Sequence, residues 1–328
     1  MILNLEQMRM ITRGAVRVEE NDGVFSLLRF TEKQAQAYLD LGCQDFYNKS
    51  FATSGVRLAF RTDSKSCSFD YTLKSASSRA FAYFDVYENG LLVKHFGTEG
   101  GELKGGKAKI TFGEGSKDVE IYLPWSRRAS LSNVEIDDGA VLEGLSRKYT
   151  MINFGDSITH GYDAIYPSLS YASRLARLMD ADAVNKGIGA DTFCPELLEE
   201  PDPFTPDFVT VAYGTNDWHK RTYDELKEKS RAFYSRLSEM YPTARIFGIT
   251  PICRLDGNKP STLFGAPAYE VDALIREVCA DLPNVTVIRG WTLTPALKEF
   301  YSDLRLHPND LGFGVYAQNL YGEIMKTL

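Results

Sequence analysis

The segment Met151-Ile-Asn-Phe-Gly-Asp-Ser-Ile-Thr-His-Gly161 joins a short apolar run to a turn that carries Ser157. The run has the length and composition of a buried parallel strand, and a helical pattern begins at Ser170. A serine in such a turn lies at the rim of a sheet, where backbone N–H groups at a helix N-terminus can stabilise negative charge. A Gly-Asp-Ser turn occurs by chance in roughly one chain in ten of this length. On its own, therefore, Ser157 is more readily explained as a helix cap than as a reactive group.

Apolar runs alternate with helical patterns through the second half of the chain. The apolar runs begin at Met151, Ala183, Phe208, Arg245 and Val285. The helical patterns cover residues 170–179, 224–240, 269–280 and 311–326. This alternation predicts a doubly wound parallel sheet, and such sheets bind ligands at the carboxyl ends of their strands.

The first half of the chain has a different pattern, with short β-rich runs separated by Gly, Asn, Asp and Ser. Residues 56–61 alternate apolar and polar side chains, and Asn89-Gly90 joins two further runs by the kind of turn that a tight hairpin needs. Many short strands with turns between them predict an antiparallel sandwich, interrupted by one helix over residues 31–41. Because the pattern changes near residue 148, we predict a β-sandwich domain of residues 1–147 and a second domain of residues 148–328.

The composition is that of an ordinary folded protein, since 44% of the 328 residues are hydrophobic and 25% are charged. The net charge of −7 argues against nucleic-acid binding, which needs clustered Lys and Arg to neutralise phosphates. No run approaches the roughly 20 apolar residues that cross a bilayer, and the N-terminus lacks the basic and apolar regions of a signal peptide. The sequence thus predicts a cytoplasmic protein that binds neither nucleic acid nor membrane.

The sequence predicts neither a metal centre nor an organic cofactor. The five cysteines have no Cys-x-x-Cys spacing, and the four histidines do not cluster with them, which indicates reduced thiols rather than a disulfide frame or a zinc site. The glycine-rich residues 100–106 do not form a phosphate-binding loop. Adjacent carboxylates at residues 19–20 and 137–138 flank turns, and we interpret them as solvated charges.

Three further polar segments each lie just past a strand or just before a helix. They are Asn185-Lys-Gly-Ile-Gly-Ala-Asp-Thr192, Gly214-Thr-Asn-Asp217 and Asp303-Leu-Arg-Leu-His-Pro-Asn-Asp310. With the Ser157 turn they can meet on one rim of the parallel sheet. In this order the four segments resemble the blocks of the SGNH, or GDSL, hydrolase family. The resemblance covers residues 150–328 and implies a three-layer α/β/α, flavodoxin-like catalytic domain with a parallel sheet.

The resemblance implies a role for five residues. Ser157 would be the nucleophile, His307 its base and Asp303 the acid that orients His307. The oxyanion would accept hydrogen bonds from the backbone N–H groups of Ser157 and Ala190 and from the side chain of Asn216. Ala190 departs from the glycine usual in the family, and its N–H remains a donor provided that alanine does not need a positive φ. Asp303 departs too, because it lies four residues before His307 rather than three, and it could be only a solvated loop carboxylate.

Two aromatic residues and two histidines lie close in sequence to these blocks. Trp218 and Tyr162 are candidates for the walls of the substrate site, although an aromatic residue beside a strand end is as often plain packing. His160 and His219 do not occupy the position of the family base, and we expect them either behind the residues that contact the substrate or at the rim of the pocket.

The resemblance also implies a function. Two-domain bacterial carbohydrate acetylesterases carry an N-terminal jelly-roll module before such a catalytic domain. The expected activity is therefore hydrolysis of short-chain acetyl esters of carbohydrates by a Ser-His-Asp acyl-enzyme mechanism. A lysophospholipase or thioesterase of the same fold is one alternative, and a carbohydrate-binding protein with an inactive catalytic half is another. The presence of Ser157, Asn216 and His307 together argues against the inactive protein, and the oligomeric state is left open.

Overall fold

The computed structural model describes residues 1–100 and 105–328, so the glycine-rich residues 100–106 lie partly outside the described residues. The helices are α1 (Leu5–Ile11), α2 (Glu32–Asp40), α3 (Gln44–Ser50), α4 (Ser157–His160), α5 (Tyr171–Leu178), α6 (Asp217–Lys220), α7 (Tyr223–Met240), α8 (Val271–Cys279) and α9 (Asp310–Met325). The strands are β1 (Thr12–Arg13), β2 (Arg17–Asn21), β3 (Val24–Leu28), β4 (Arg57–Thr62), β5 (Ser66–Ser75), β6 (Phe81–Glu88), β7 (Leu91–Glu99), β8 (Gly106–Thr111), β9 (Lys117–Tyr122), β10 (Arg127–Ile136), β11 (Glu143–Gly144), β12 (Tyr149–Gly155), β13 (Ala181–Gly187), β14 (Phe208–Ala212), β15 (Arg245–Ile249) and β16 (Val285–Ile288). None of the described helices is both long and apolar enough to cross a bilayer.

Two antiparallel sheets form the first part of the chain. One has the order β2-β3-β10-β5-β8, and the other has the order β1-β4-β9-β6-β7 with β11 paired to β4. The eight strands from β3 to β10 thus form the two four-stranded sheets of a jelly roll, β3-β10-β5-β8 and β4-β9-β6-β7. Both inner faces contribute apolar side chains to one core, among them Phe69, Phe84 and Leu131. The predicted jelly-roll sandwich is confirmed, and the predicted hairpin joins β6 to β7 with a positive φ at both Asn89 and Gly90.

The strand β10 is not among the predicted strands, although it lies between β3 and β5 in the centre of its sheet. The reason is a β-bulge, since its pairing with β5 shifts between Ser132 and Glu135 and Asn133 has a φ of 48°. The bulge leaves Leu131 and Val134, three positions apart, both fully buried. The alternation of apolar and polar residues that identifies a strand is therefore broken.

The second part of the chain forms a parallel sheet of order β13-β12-β14-β15-β16. This is the flavodoxin-like order, and the predicted three-layer α/β/α domain is confirmed. Helices α5 and α9 cover one face and α7 and α8 cover the other, so the neighbouring residues Met151 and Ile152 of β12 pack into two different cores. The strand order reverses between β12 and β14. The loops after these two strands therefore border the crevice in which such sheets bind ligands.

The helix predicted over residues 31–41 is present as α2, but it packs against the parallel domain rather than within the sandwich. Phe30 and Tyr38 share a buried apolar cluster with Ile188 and Leu197, which belong to the loop after β13 and to the short helix beyond it. The predicted division between residues 147 and 148 stays a prediction. The strands change there from antiparallel to parallel, whereas the α2 segment of the first part lies on the second.

Candidate active site

Ser157 is the first residue of the short helix α4, directly beyond the carboxyl end of β12. Asp156 caps this helix, because its side chain accepts a hydrogen bond from the Ile158 N–H at 2.9 Å. Close packing requires Gly155, since a Cβ at this position would lie 2.1 Å from Thr159 Oγ1. The turn therefore holds Ser157 at the rim of the sheet, and the residue is 6% exposed.

A chain of hydrogen bonds connects Ser157, His307 and Asp303. Ser157 Oγ lies 2.9 Å from His307 Nε2, and His307 Nδ1 lies 2.9 Å from Asp303 Oδ2. A carboxylate beside Nδ1 favours the ring proton on that nitrogen, so Nε2 becomes the acceptor for the serine hydroxyl. This is the arrangement that a catalytic triad needs, with Ser157 as the nucleophile, His307 as the base and Asp303 as the acid that orients the base.

Asp303 reaches His307 in spite of the four-residue spacing. Leu304 adopts a left-handed conformation with a φ of 56°, and this accommodates the additional residue in the turn. Asp303 Oδ1 also accepts backbone N–H bonds from residues 305–307 at 2.7–3.1 Å. Burial alone would raise the pKa of Asp303, but the hydrogen bonds from His307 and the backbone hold this pKa far below its usual range. Asp303 is therefore ionised at neutral pH.

A second carboxylate, Asp163, lies near His307, and the sequence pattern does not identify it. Asp163 Oδ2 is 3.8 Å from His307 Nδ1, and the Asp163 side chain is buried. Its partner is Arg79, which comes from the loop between β5 and β6 of the jelly roll, and the hydrogen bond to Asp163 raises the pKa of Arg79. Asp163 follows Ser157 closely in the segment between β12 and α5, and this closeness is the signal that the sequence offers. Nothing in the sequence links Arg79 to either residue.

Asp163, Asp303 and His307 also form a possible set of metal ligands, since one atom of each lies within 4.8 Å of the others. The hydrogen bonds of the three groups do not favour a metal ion. His307 Nδ1 faces Asp303, and the guanidinium of Arg79 already neutralises Asp163. That the protein works without a metal stays a prediction.

Three hydrogen-bond donors are available on the same rim. The backbone N–H groups of Ser157 and Ala190 have no acceptor within residues 1–100 and 105–328. Asn216 Nδ2 donates to the main-chain carbonyl of Asp191 at 2.9 Å, which leaves the second amide hydrogen for another acceptor. These residues follow the adjacent strands β12, β13 and β14. Donors grouped beside a nucleophile are what the stabilisation of an oxyanion requires.

Residues 154–315 match the model of the GDSL-like lipase/acylhydrolase family. The second part of this chain belongs to that family. The protein is accordingly a carboxylic ester hydrolase. A comparison with curated protein sequences finds no match.

Solved structures share the two-part fold. A salicylyl-acyltransferase from a tetracycline biosynthetic pathway has a TM-score of 0.83 at 22% identity, over 96% of this chain and 94% of that one. A protein described as a putative GDSL-like lipase, from Bacteroides ovatus, has a TM-score of 0.76 at 18% identity, over 98% of this chain and 96% of that one. A family two carbohydrate esterase from Clostridium thermocellum, solved with cellohexaose, has a TM-score of 0.65 at 17% identity, over 84% of this chain and 93% of that one.

One donor of this GDSL-like hydrolase has a strained backbone. Ala190 has a φ of 73°, in the left-handed region that favours glycine. The sequence predicts an easy replacement of the family glycine by alanine only if the residue does not need a positive φ, and Ala190 does need one. A left-handed conformation costs a non-glycine residue about 1–2 kcal/mol, and the hydrolase tolerates this cost while the Ala190 N–H stays available as a donor.

Replacing Ala190 with glycine is expected to raise the free energy of unfolding by about 1 kcal/mol, since the strain disappears while the chain gains some unfolded-state entropy. Urea denaturation checks this, and kcat is expected to stay within about twofold. The matched control is Ala280→Gly, because Ala280 has an ordinary φ of −59° at the end of α8. A loss of stability equal to that of the control would show that the left-handed conformation of Ala190 is not costly.

Three buried carboxyl groups stand in the loops that carry the donors of the hydrolase. Burial raises the pKa of Asp156 and of Asp217 to about 6. Burial also raises the pKa of Asp191 to about 7, although its carboxylate accepts a hydrogen bond from Tyr38 at 2.7 Å. Burial thus destabilises the charged form of all three carboxyl groups, although Asp156 and Asp217 remain mostly ionised at neutral pH.

The two aromatic candidates have different surroundings. The ring of Tyr162 stacks on that of His307 with the centroids 5.9 Å apart, and its hydroxyl lies 3.4 Å from Ser78 Oγ of the jelly roll. Trp218 is 2% exposed, and its indole N–H donates to the Ala266 carbonyl at 2.7 Å. Plain packing in the core therefore accounts for Trp218, whereas Tyr162 borders the catalytic histidine candidate.

The two histidines also differ from each other. His160 is fully buried behind the loop that carries Ala190, and burial holds its pKa far below the usual range. Its Nε2 lies 3.1 Å from the Trp125 carbonyl, and its Nδ1 lies 3.3 Å from the Gly189 N–H, so His160 links the two parts of the chain. His219 is exposed, and its Nε2 lies 2.8 Å from Arg254 Nη2.

Proposed function

We propose that the protein is a serine esterase that hydrolyses short-chain acetyl esters of carbohydrates through a Ser-His-Asp acyl-enzyme mechanism. The observation that carries the proposal is the continuous chain of hydrogen bonds from Ser157 through His307 to Asp303, with 2.9 Å at each contact. Its reaction class is that of the family to which the second part of the chain belongs. No organic cofactor takes part in this chemistry.

In the first half of the proposed reaction, Ser157 Oγ bonds to the ester carbonyl carbon while His307 Nε2 takes the hydroxyl proton. The ionised Asp303 stabilises the imidazolium that results. The electron pair of the carbonyl double bond moves to oxygen, and this oxyanion accepts hydrogen bonds from the Ser157 and Ala190 N–H groups and from Asn216.

The intermediate then loses its alcohol. As the bond between the carbonyl carbon and the alcohol oxygen breaks, His307 returns its proton to that oxygen, and an acyl group remains on Ser157. A water molecule then attacks the acyl-enzyme by the same steps: it gives a proton to His307, and its oxygen bonds to the acyl carbon. Ser157 leaves with the returned proton, and the carboxylic acid is released.

The surroundings of the site support a polar alcohol in the ester. Ser78 and Arg79 of the jelly roll contact Tyr162 and Asp163, so hydroxyl and guanidinium groups of the first domain stand beside the catalytic candidates. Such groups can hold the hydroxyls of a sugar and keep the ester near Ser157 at low entropic cost. The similarity in fold to a carbohydrate esterase solved with cellohexaose supports the same substrate class.

A second candidate function is transfer of the acyl group to an alcohol instead of to water. It is favoured by the similarity to the salicylyl-acyltransferase, which extends over 96% of this chain. The same acyl-enzyme would form, and an acceptor alcohol would replace water in the second half of the reaction. A lysophospholipase or thioesterase remains the alternative among hydrolases.

Aryl esters with one leaving group and acetyl, butyryl or octanoyl chains separate these functions. We expect kcat/KM for the acetyl ester to exceed that for the octanoyl ester by at least about tenfold, because a longer chain must overpack a small pocket or lie exposed. Release of acetate from acetylated oligosaccharides, lost in Ser157→Ala, tests the alcohol side. A clear preference for octanoyl would reject the acetylesterase in favour of the lipid or thioester hydrolase. Acetyl products of an added alcohol in place of acetate would indicate the transferase.

A further inference from the structure

Of the four main-chain polar groups of Gly189 and Ala190, three have hydrogen-bond partners within the described residues. The Gly189 N–H donates to His160 Nδ1 at 3.3 Å, and the Gly189 carbonyl accepts from Lys49 Nζ at 3.0 Å. The Ala190 carbonyl accepts from Lys220 Nζ at 2.6 Å. Among the residues that the structure describes, only the Ala190 N–H of this segment lacks a partner. These hydrogen bonds therefore fix the orientation of the Ala190 N–H, which remains free to donate.

Lys49 acts on the same peptide group that contains this donor. The carbonyl of Gly189 and the N–H of Ala190 belong to one amide, in which polarisation of the carbonyl strengthens the N–H as a donor. Lys49 is 6% exposed, and a hydrogen bond from an ammonium group to a neutral carbonyl is charge-assisted. Because the contact is buried, water screens this effect little.

Lys49 comes from the first part of the chain, as the last but one residue of α3. Its position is itself supported, since its side chain pairs with Asp45 at 2.5 Å and its main-chain carbonyl accepts from Arg29 Nη2 at 3.1 Å. Arg29 is fully buried and also donates to the main-chain carbonyls of Asn185 and Gly187. Together with the bond from Lys49 to the Gly189 carbonyl, these bonds fix every second carbonyl of the segment that leads to Ala190.

We propose that Lys49 is a positioning residue for the reaction, which orients and polarises the Gly189–Ala190 peptide so that the Ala190 N–H becomes a stronger oxyanion donor. The inference rests on the proposed function, in which Ala190 is one of the three donors. It gives the first part of the chain a share in transition-state stabilisation, in addition to any contact with the substrate.

The test is Lys49→Met, which keeps much of the side-chain volume and removes the ammonium. Loss of a whole oxyanion donor costs about 10²–10³ in kcat, so the weakening of one donor is expected to cost about tenfold. KM is expected to stay within about twofold, because a ground-state carbonyl uses the donor less than an oxyanion does. The affinity for a boronic acid that forms a tetrahedral adduct on Ser157 should fall by the same factor as kcat.

Lys33→Met is the matched control, because Lys33 is exposed in α2 and pairs only with Glu200 among the described residues. This control is expected to leave kcat and the boronic acid affinity unchanged. If Lys49→Met does not fold, Lys49→Gln keeps an uncharged donor and should show a smaller loss in the same direction. A folded Lys49 variant with unchanged boronic acid affinity, or with a loss confined to KM, would overturn the inference. Activity that survives Ser157→Ala would instead overturn the proposed function.

Discussion

Replacing Ser157 with alanine is expected to lower kcat for aryl acetate hydrolysis by roughly 10⁴- to 10⁶-fold, the range found for nucleophiles of catalytic triads. The physical reason is that no acyl-enzyme can form, while the oxyanion donors and the substrate contacts remain. Steady-state kinetics measure the loss, and mass spectrometry of the intact protein during turnover should show an acetylated chain for the native protein alone. His307→Ala should be similarly damaging, because the serine and its base act as a unit.

The control for this experiment is Ser302→Ala, since Ser302 is an exposed serine of the same terminal loop that carries His307. Its hydroxyl makes no hydrogen bond to the described residues, and its main-chain N–H, which donates to the His307 carbonyl at 2.8 Å, is kept in alanine, so the kcat of this variant is expected to match that of the native protein. Within residues 1–100 and 105–328 the Ser157 side chain makes one hydrogen bond, to His307, so its loss should change the free energy of unfolding by no more than about 1 kcal/mol. Substantial turnover by a pure, folded Ser157→Ala protein would reject the serine mechanism.

The parallel domain could be predicted from the sequence because its strands and loops follow local rules. Met151 and Ile152 face different cores, so their strand is buried on both sides and appears as a continuous apolar run. The carboxyl ends of parallel strands meet at one edge, and this places Ser157 and Asn216 on the same rim however far apart they lie in sequence. The contact between Ser157 and His307 spans 150 positions, and the sheet brings them together.

Other features depend on contacts that no local pattern encodes. The strand β10 cannot be predicted from the alternation of apolar and polar residues, because the additional residue in the bulge at Asn133 changes which side chains face the core. Arg79 and Asp163 lie 84 positions apart, and Lys49 and Gly189 lie 140 positions apart. Both pairs join the jelly roll and its helices to the catalytic loops. Their partners become visible only when the packing of the two parts is known.

Trp218 shows the opposite limit, in which closeness in sequence suggests a role that the geometry does not support. It follows Asn216 by two residues. Because α6 begins at Asp217, the chain turns there and places the indole in the core, with its N–H bonded to Ala266. Adjacent residues of a helix face different directions, so a neighbour of a catalytic block is not thereby a neighbour of the substrate.

Replacing Asp303 with asparagine is expected to lower kcat by about 10²- to 10⁴-fold without unfolding the protein. The asparagine oxygen can still accept the backbone N–H bonds that Asp303 Oδ1 receives, so the terminal turn is kept. The amide nitrogen that replaces Oδ2 is a donor, and it would favour a proton on Nε2 of His307 rather than on Nδ1. The imidazole could then no longer accept the proton of Ser157, and the imidazolium would lose its anionic partner.

The effect of Asp303→Asn on kcat should be compared with that of the same change at Asp163, the second carboxylate near His307. Its carboxylate is 3.8 Å from His307 Nδ1, compared with 2.9 Å for Asp303, and it is already paired with Arg79. Asp163→Asn alone is therefore expected to reduce kcat by less than about tenfold, because the direct acceptor of the ring proton remains. Combining it with Asp303→Asn should remove the residual activity that a displaced His307 could recover by turning to Asp163. If Asp163→Asn proves the more damaging single change, Asp163 is the orienting acid and Asp303 serves mainly to hold the turn.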